Sequence, residues 1–532
     1  MGNRLWKRRW CPKALPTLMG MRGRKPSLDV TSNNLMGPPA VETEYKFFIP
    51  AENVAEVEQA LLHGTSESVR LRSHYFDTSD ATLRSNGISL RIREEGSRRL
   101  QTLKWGGDGL ISRQEHEVAL GGIHEPWTSP NLALHRRAGL GSKQSRLLAE
   151  LEISPGRLQE VFVVDCERIR STVPVDGGEI EFALDRGEVK TGSGPTARSA
   201  SIQELELELK SGQASVLAPL AKVWAAKYGL WLGSTSKSSR GWALRDGTRV
   251  PARAAKAKPG RLSPPVLTDL IRLCVSQVLP AAAVVGEGTF DDEDIHRLRV
   301  GLRRLRTVLS ELHKGSGRAK VSWQDTLATT FQTLGQWRDR THVLATVIPE
   351  MTGAGGPPLA VEDVTGESAP SPQAAVRASA FQSTLIDLIG FAKTDRGEGD
   401  MRARAFEKLM RRRMRRLFRK IAAAAPTFAD LPAEDQHQVR KRLKKLRYLV
   451  EFGAPFLDRR AQRRFIDRVK PLQDALGQLN DSAVAQKALQ DQAERRPAAW
   501  FGAGWLAGRR PALAANAQKL LVHISKHGRL FD

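Results

Sequence analysis

The sequence predicts an α+β protein in which a β-rich antiparallel half precedes an all-helical half. Up to about residue 245, short segments of alternating polar and apolar residues are separated by turn-rich sequence. From residue 265 onward the chain consists mainly of long amphipathic segments rich in Leu, Ala, Arg, Gln and Glu. Because 532 residues are too many for one hydrophobic core, we expect two or three domains.

The first half divides into strand-like and helix-like segments. Helical patterns occur at 51–62, 143–151 and 213–228. Strand-like alternation is found at 41–49, 69–76, 88–94, 99–105, 112–120, 161–170, 179–185 and 202–210. We therefore expect an antiparallel α+β domain of about 200 residues.

The expected boundaries follow from composition. Residues 1–40 are basic and lack periodicity, which predicts disorder, and 41–247 form the β-rich domain. Residues 248–264 mix Pro, Ala and basic residues without a pattern, as a linker does. Residues 265–532 form the helical domain, with repeats near 265–350 and 376–532 separated by a loop at 351–375.

Three of the strand-like segments are apolar on one side and densely charged on the other. The charged residues are Glu42, Glu44 and Lys46 in the first, Arg91 and Arg93 in the second, and Glu204, Glu206 and Glu208 in the third. Each face alone would be typical of a strand exposed to water. Together, their complementary charges predict a sheet closed around a charged interior, which suits a polyanion and a hard metal ion.

The net charge of +25 is unevenly distributed. Residues 1–40 carry 8 basic against 1 acidic residue, and residues 41–260 carry 30 against 28. Residues 261–532 carry 45 against 29, a surplus of 16 positive charges. The asymmetry indicates an anionic partner for the helical half, such as nucleic acid, a membrane surface or polyphosphate.

The helical half contains an internal repeat. HRLRVGLRRLR (296–306) aligns without a gap with HQVRKRLKKLR (437–447), and each is followed about 40 residues later by LGQWRD (334–339) or LGQLND (476–481). The repeated basic residues lie on one stripe of each helix: His296, Arg299, Arg303 and Arg306, then His437, Arg440, Lys444 and Arg447. A solvated cationic face has no reason to repeat in this way, so we expect the stripes to converge on a polyanion.

The sequence gives limited information about other binding partners and about the cellular compartment. Few aromatic residues accompany the arginines, so nucleic acid is disfavoured but not excluded. No run approaches the ~20 apolar residues of a membrane helix, and no secretory signal is evident. The chain has three widely spaced cysteines, Cys11, Cys166 and Cys274. These features predict a cytoplasmic protein with no membrane partner, whose oligomeric state the sequence does not determine.

An ordered series of motifs identifies the first half as resembling the CYTH superfamily, the triphosphate tunnel metalloenzymes. The motifs are ExExK (42–46), YFDT (75–78), LRIR (90–93), QTLK (101–104), RQE (113–115), LDRG (184–187), ELELEL (204–209) and SKSSRG (236–241). The histidine-led basic helices and LGQxRD-like segments of the second half resemble a CHAD domain. The second repeat departs from that pattern at Asn480, where the first has Arg338.

The resemblance implies an eight-stranded antiparallel barrel that forms a tunnel, followed by a helical bundle. It also implies a metal-dependent inorganic triphosphatase whose helical domain binds polyphosphate. The alternatives are a non-catalytic polyphosphate-binding protein, or the same fold acting on thiamine triphosphate or on ATP as an adenylyl cyclase. Zincin, P-loop and hydrolase-elbow motifs do not occur.

The resemblance to the CYTH superfamily assigns site residues through their positions in the matching motifs. Mg²⁺ or Mn²⁺ would be held by Glu42, Glu44, Asp185, Glu204 and Glu206, with Glu208 as a further ligand. Phosphate oxygens would be bound by Lys46, Arg91, Arg93, Lys104, Arg113, Arg168, Lys237 and Arg240, with Arg72 as a weaker member. Glu42, Glu44 and Lys46 would be catalytic, with Lys46 assisting proton transfer.

Overall fold

The computed structural model describes residues 40–63, 65–107, 109–123, 129–249, 266–365, 371–393 and 401–526. The barrel and the helices within these ranges form one compact unit. Disorder is predicted for residues 1–40; residues 1–39 and most of the predicted linker fall outside the described residues, whereas Ala40 begins β1.

Eight antiparallel strands of the first half form a closed barrel. Around the barrel the order is β1-β5-β4-β3-β2-β6-β7-β8, and the pairing of β1 with both β5 and β8 closes the sheet. The strands are β1 (Ala40–Phe48), β2 (Ser66–Asp77), β3 (Ile88–Glu95), β4 (Arg98–Trp105), β5 (Ser112–Gly122), β6 (Gln159–Val175), β7 (Gly178–Thr191) and β8 (Arg198–Gly212), with a short β9 (Trp231–Leu232) beside β1. The predicted fold class is confirmed.

Helices cover the apolar outer faces of the strands. The helices of the first half are α1 (Val54–Leu62), α2 (Thr82–Ser85), α3 (Ser142–Ile153), α4 (Leu217–Tyr228) and α5 (Lys237–Asp246). Tyr45 and Phe47 of β1 are buried in a core that includes Leu217 and Tyr228 of α4. Since side chains alternate along a strand, this outer packing turns Glu42, Glu44 and Lys46 into the barrel.

Helix α5 packs against β6, β7 and β8 and brings Lys237 to the acids inside the barrel. Ser236 caps its N-terminus by accepting a hydrogen bond from the Ser239 amide. Trp242 packs in a cluster with Phe162 of β6. A Cβ at Gly241 would lie 2.3 Å from the Phe162 ring, so only glycine permits this close approach. The helix is thereby held against the barrel interior.

The second half is helical, as predicted. Its helices are α6 (Leu267–Glu287), α7 (Asp292–Leu312), α8 (Ser322–Arg338), α9 (Ala345–Gly353), α10 (Val361–Thr365), α11 (Pro372–Arg377), α12 (Ser379–Lys393), α13 (Ala403–Ala424), α14 (Ala433–Phe452), α15 (Arg459–Gln492) and α16 (Ala498–Ser525). A π-helical turn, Asp339–Leu344, joins α8 to α9. The two histidine-led basic segments form α7 and α14.

Two expectations about this half are wrong. The segment 351–375 is not simply a loop, because α10 and the start of α11 lie in it and Val364 is buried against the bundle.

The second wrong expectation is that no segment approaches a membrane helix. Among the described residues, α6 is long and apolar enough to cross a membrane by length and composition. Because 72% of its apolar window is buried inside the protein, this is weak evidence for a membrane span and is typical of a core helix.

Candidate active site and anion-binding cleft

The acidic side of the tunnel lies on three adjacent strands, β7, β8 and β1. Ligand oxygens of Asp185, Glu204 and Glu206 all lie within 4.8 Å of one another, and the three residues are buried. Glu42 and Glu44 extend the acidic surface along β1, where Glu44 is directly opposite Glu208 of β8. The closed sheet therefore brings together the acids that the sequence placed on separate strands.

Three basic residues pair with Asp185, Glu204 and Glu206. Lys46 Nζ donates to Glu204 at 2.9 Å and to Glu206 at 2.6 Å. Arg168 forms a two-pronged pair with Asp185, with both N–O distances 2.6 Å. Lys237, at the start of α5, lies 2.6 Å from Asp185 and also contacts Glu204. All three belong to the predicted phosphate-binding set.

These pairs determine which groups are charged. Burial opposes ionisation of Asp185, but Arg168 and Lys237 lower its pKa to about 2. Burial also disfavours the Lys46 ammonium, yet Glu204 and Glu206 raise its pKa above the ordinary value. Lys46 is thus held as a cation. A protonated amine has no lone pair with which to accept a proton, which opposes the proton-transfer role expected for Lys46.

Glu44 is in the opposite situation. Burial, followed by the charges of Glu206 and Glu42, raises its pKa to about 8, and the opposing effect of Lys46 is smaller. The carboxyl group is therefore protonated at neutral pH until a further positive charge arrives. A cation bound beside Glu44 would lower this pKa and favour the charged carboxylate.

A second basic group lies across the tunnel on β3, β4 and β5. Lys104 pairs with Glu42 at 2.7 Å and with Glu115 at 3.3 Å. The Nε atoms of Arg91 and Arg113 are buried and have no hydrogen-bond partner among the described residues. Burial and the neighbouring Arg91 charge lower the pKa of both Arg93 and Arg113. Crowded guanidinium groups with unused donors are suited to binding an anion.

Sequence reasoning missed two tunnel residues and misplaced one. Tyr75 is buried beside Arg91 and Arg93, and although burial opposes ionisation, these two arginines lower its pKa. Glu115 lies 3.7 Å from Arg91 as well as beside Lys104. Tyr75 and Glu115 belong to two motifs recognised in the sequence, YFDT and RQE. Because Glu115 is two residues after Arg113, strand alternation places both side chains on one face, and this could have indicated Glu115. Arg72 is exposed on the outer face, away from the tunnel.

The donor set inside the barrel fits a hard divalent cation. Carboxylates are the predicted ligands, and Glu204 Oε2 is buried without a hydrogen-bond partner among the described residues. Oxygen-only ligation of this kind favours Mg²⁺ or Mn²⁺ over zinc. Asp185, Glu204 and Glu206, together with Glu42 and Glu44, are the residues that would hold it.

The basic stripes of the two repeats face each other across a cleft of about 500 Å³ in the helical half. Arg299, Arg303 and Arg306 of α7 surround the ring of Phe331, with guanidinium carbons 4.5 to 5.1 Å from its centroid. From α14, His437 faces Asn480, and their Nδ1 and Oδ1 atoms are 2.9 Å apart. The remaining lining residues include His296, Arg338, Asp339, Arg440, Lys441 and Lys444.

The cleft concentrates positive charge. Burial and then the charges of Arg303 and Arg440 lower the pKa of Lys444 to about 6. Burial and Arg303 lower the pKa of Arg299 to about 10. Arg447 lies outside the cleft lining, because its guanidinium binds Glu451 and Gln473 instead. Seven of the eight predicted cleft residues are therefore brought together.

The LGQ segment makes room for one arginine. A Cβ at Gly335 would lie 2.6 Å from Arg299 Nη1, so glycine lets that side chain lie across α8. There Arg299 donates to the Phe331 carbonyl oxygen at 3.0 Å. At the equivalent Gly477, nothing lies within 4 Å of a Cβ. The two halves of the cleft are thus not equivalent.

Models of known domain families match both halves of the chain. The family model of the CYTH domain matches residues 40–242, and that of the CHAD domain matches residues 269–490. The chain therefore contains a CYTH domain followed by a CHAD domain, as its motifs predicted.

Individual relatives cover parts of the chain. An inorganic triphosphatase of Haemophilus influenzae is 30% identical over 210 residues, which are 38% of this chain and 54% of that protein, so the chain spans about half of its relative's length. The solved CHAD domain of Ricinus communis is 21% identical, covers 51% of this chain and 95% of its own, and has a TM-score of 0.41. A putative adenylyl cyclase from Hippeastrum, described as having dominant triphosphatase activity, is 18% identical with a TM-score of 0.29 and covers 40% of this chain and 98% of its own.

Proposed function

We propose that this chain is a metal-dependent inorganic triphosphatase whose helical cleft binds polyphosphate. The observation that carries the proposal is the closed tunnel with carboxylates on one arc and guanidinium groups with unused buried donors on the other. A phosphoanhydride is cleaved mainly by positioning and charge neutralisation, which such a tunnel can supply. The named activity of the Haemophilus influenzae relative supports the same reaction.

The two sets of basic residues in the tunnel would bind triphosphate in different ways. Arg91 and Arg113 each have a buried Nε donor without a hydrogen-bond partner among the described residues, and together with Arg93 they would bind phosphoryl oxygens directly. Lys104, Arg168 and Lys237 are paired with carboxylates and hold positive charge beside the acids. Lys46 stays protonated and stabilises negative charge that develops on the phosphoryl group.

The acids serve two purposes. Glu42, Glu44, Asp185, Glu204 and Glu206 would hold Mg²⁺ or Mn²⁺, which neutralises phosphoryl charge when bound. Their own charges also fix the orientation of Lys46, Lys104 and Lys237. A carboxylate next to the substrate orients the attacking water and excludes other geometries.

The cleft would bind a second, longer polyphosphate. Three arginines around Phe331 and the basic residues of α14 form a surface that is suited to phosphate charge. Because Phe331 is covered by guanidinium groups, it is not available for stacking a nucleobase. The cleft thus favours polyphosphate over nucleic acid.

A substrate panel tests the enzyme. Triphosphate, long polyphosphate, ATP and thiamine triphosphate are each incubated with Mg²⁺ or Mn²⁺, and phosphate release is measured. We expect triphosphate to be preferred and Glu44→Gln to lower kcat/KM by about a hundredfold or more, since it removes an anionic ligand. Glu167→Gln is the matched control, because Glu167 is an exposed glutamate of β6.

Two results would contradict the proposal. Tight triphosphate binding without phosphate release under either ion would indicate a binding protein. Preference for ATP with release of pyrophosphate would indicate a cyclase instead.

A further inference from the structure

The helical half contacts α5, the helix that carries Lys237 and Arg240. Arg240 of α5 lies over the ring of Phe48, with its guanidinium carbon 4.6 Å from the ring centroid. Its Nη2 atom donates to Glu287 Oε1 at 2.7 Å. Glu287 is the last residue of α6, so this carboxylate comes from the CHAD half of the chain.

The pair lies next to the acidic cluster. Phe48 is directly opposite Glu204 in the β1–β8 ladder, and opposite residues share a face of the sheet. Lys237, one helical turn before Arg240, contacts Glu204 itself. Glu204 is also close enough to Glu287 for their charges to repel. The helical half therefore contributes a charged group at the edge of the tunnel.

The position of Glu287 is fixed by backbone packing. A Cβ at the preceding Gly286 would lie 2.4 Å from the Trp231 ring, so α6 ends in direct contact with β9. The Gly286 carbonyl oxygen accepts hydrogen bonds from Arg377 at 2.8 Å and from Gln373 at 3.2 Å. Arg377 in turn lies 3.8 Å above the Trp231 ring. Little freedom remains for the end of this helix.

Arg240 keeps unused hydrogen-bonding capacity. Its Nε atom is buried and has no hydrogen-bond partner in the part of the chain that the structure describes. A guanidinium group has five N–H donors, and the Glu287 carboxylate accepts from Nη2. The Nε donor beside it is therefore available for an anion.

We propose that Glu287 is a positioning residue that orients Arg240 of the tunnel for binding triphosphate, so that the CHAD half completes the CYTH site. This inference rests on the proposed triphosphatase function. It assigns the helical half a role in the reaction that is separate from its own cleft.

Steady-state kinetics of the full chain test the inference. We expect Glu287→Gln to raise KM for triphosphate about tenfold with kcat nearly unchanged, because an oriented ground-state contact is lost. Arg240→Gln should raise KM at least as much. The double variant should match Arg240→Gln alone, since Glu287 acts only through Arg240. Glu287→Asp, which keeps the charge, should recover part of the loss.

The control is another ion pair between the two halves. Lys222 of α4 binds Asp387 of α12 at 2.7 Å, on the outside of the barrel. Lys222→Gln should leave both constants unchanged. Additive effects of Glu287→Gln and Arg240→Gln, an unchanged KM in Glu287→Gln, or an equal loss in Lys222→Gln would each overturn the inference while leaving the triphosphatase intact. No turnover by the unaltered chain would overturn both.

Discussion

At the scale of single residues, neighbours rather than residue type decide the chemistry. Glu206 and Glu44 both lie in the tunnel, where burial disfavours the charged form of each carboxyl group. Despite burial, Lys237 and Lys46 hold the pKa of Glu206 well below its ordinary value. Burial and two neighbouring carboxylates raise that of Glu44 to about 8. One glutamate is thus a permanent anion, whereas the other is ready to exchange its proton for a cation.

The same reasoning predicts that polyphosphate binding depends on pH. The pKa of Lys444 is lowered from 10.5 to about 6, so the amine is uncharged at neutral pH in the free cleft. A bound anion raises this pKa, and binding therefore takes up a proton. Affinity should rise as pH falls from about 9 toward about 7, by at most about tenfold per pH unit.

Binding of long polyphosphate, measured by titration calorimetry at several pH values, checks this. Lys444→Gln should flatten the slope. Lys441→Gln removes an exposed lysine from the same cleft and should weaken binding without removing the pH dependence. An affinity of the unaltered chain that does not change over this range would show that Lys444 is not the group involved.

At the scale of secondary-structure elements, the internal repeat gives two similar helices in different surroundings. Helix α7 packs its arginines around Phe331 and over Gly335 of α8. Helix α14 faces Asn480 of α15, where the first repeat has Arg338. The repeat therefore produces an asymmetric cleft, in which α7 provides the closely packed guanidinium groups.

Paired glycine substitutions test that asymmetry. Gly335→Ala should displace Arg299 and lower polyphosphate affinity by about tenfold, because one guanidinium contact is lost. Stability should change little, since the clash is with the end of a flexible side chain.

Gly477→Ala is the matched variant in the second repeat. The added Cβ would meet open space, so polyphosphate binding should be unaffected. The higher helix propensity of alanine should stabilise the fold slightly. Equal losses of affinity in the two variants, measured by fluorescence anisotropy, would contradict the asymmetry.

At the scale of the whole molecule, the barrel and the helices share one hydrophobic core. Residues of β1, β7 and β8 belong to the same buried cluster as residues of α6, α7 and α12. Tyr45 of β1 donates to the Ile386 carbonyl oxygen at 3.3 Å. Gln382 of α12 accepts from the Leu232 amide of β9 at 2.9 Å and donates to the Val376 carbonyl oxygen at 2.7 Å. Two domains in sequence are thus one packed body.

We therefore expect the two halves to unfold together. Gln382→Ala leaves buried backbone groups without partners and should lower the free energy of unfolding by about 1–3 kcal/mol. Denaturant unfolding followed by tryptophan fluorescence and by helical circular dichroism should shift by the same amount in both signals. Gln490→Ala, at an exposed position of α15, should leave both unchanged. Separate transitions for the two signals would show that the shared core does not couple the halves.

Periodicity in the sequence was enough to locate the eight strands and to place the charges of three of them on one face. It could not reveal Tyr75 and Glu115 as neighbours of the arginines, nor Phe331 beneath the α7 stripe. Alternation fixes the side of a strand or helix, but not which residue of a distant segment will face it. Arg447 illustrates the limit, because it shares the repeat position of Arg306 yet binds Glu451.

The sequence by itself determined the strands, the basic helices and their repeat, because these depend on local spacing and composition. Only the tertiary structure decided that acids and bases meet inside one barrel, that Arg240 binds a carboxylate from the helical half, and that the two repeats form unequal sides of a cleft. These contacts join residues far apart in the chain. They are set by closure of the sheet and by packing of the shared core, which no local pattern encodes.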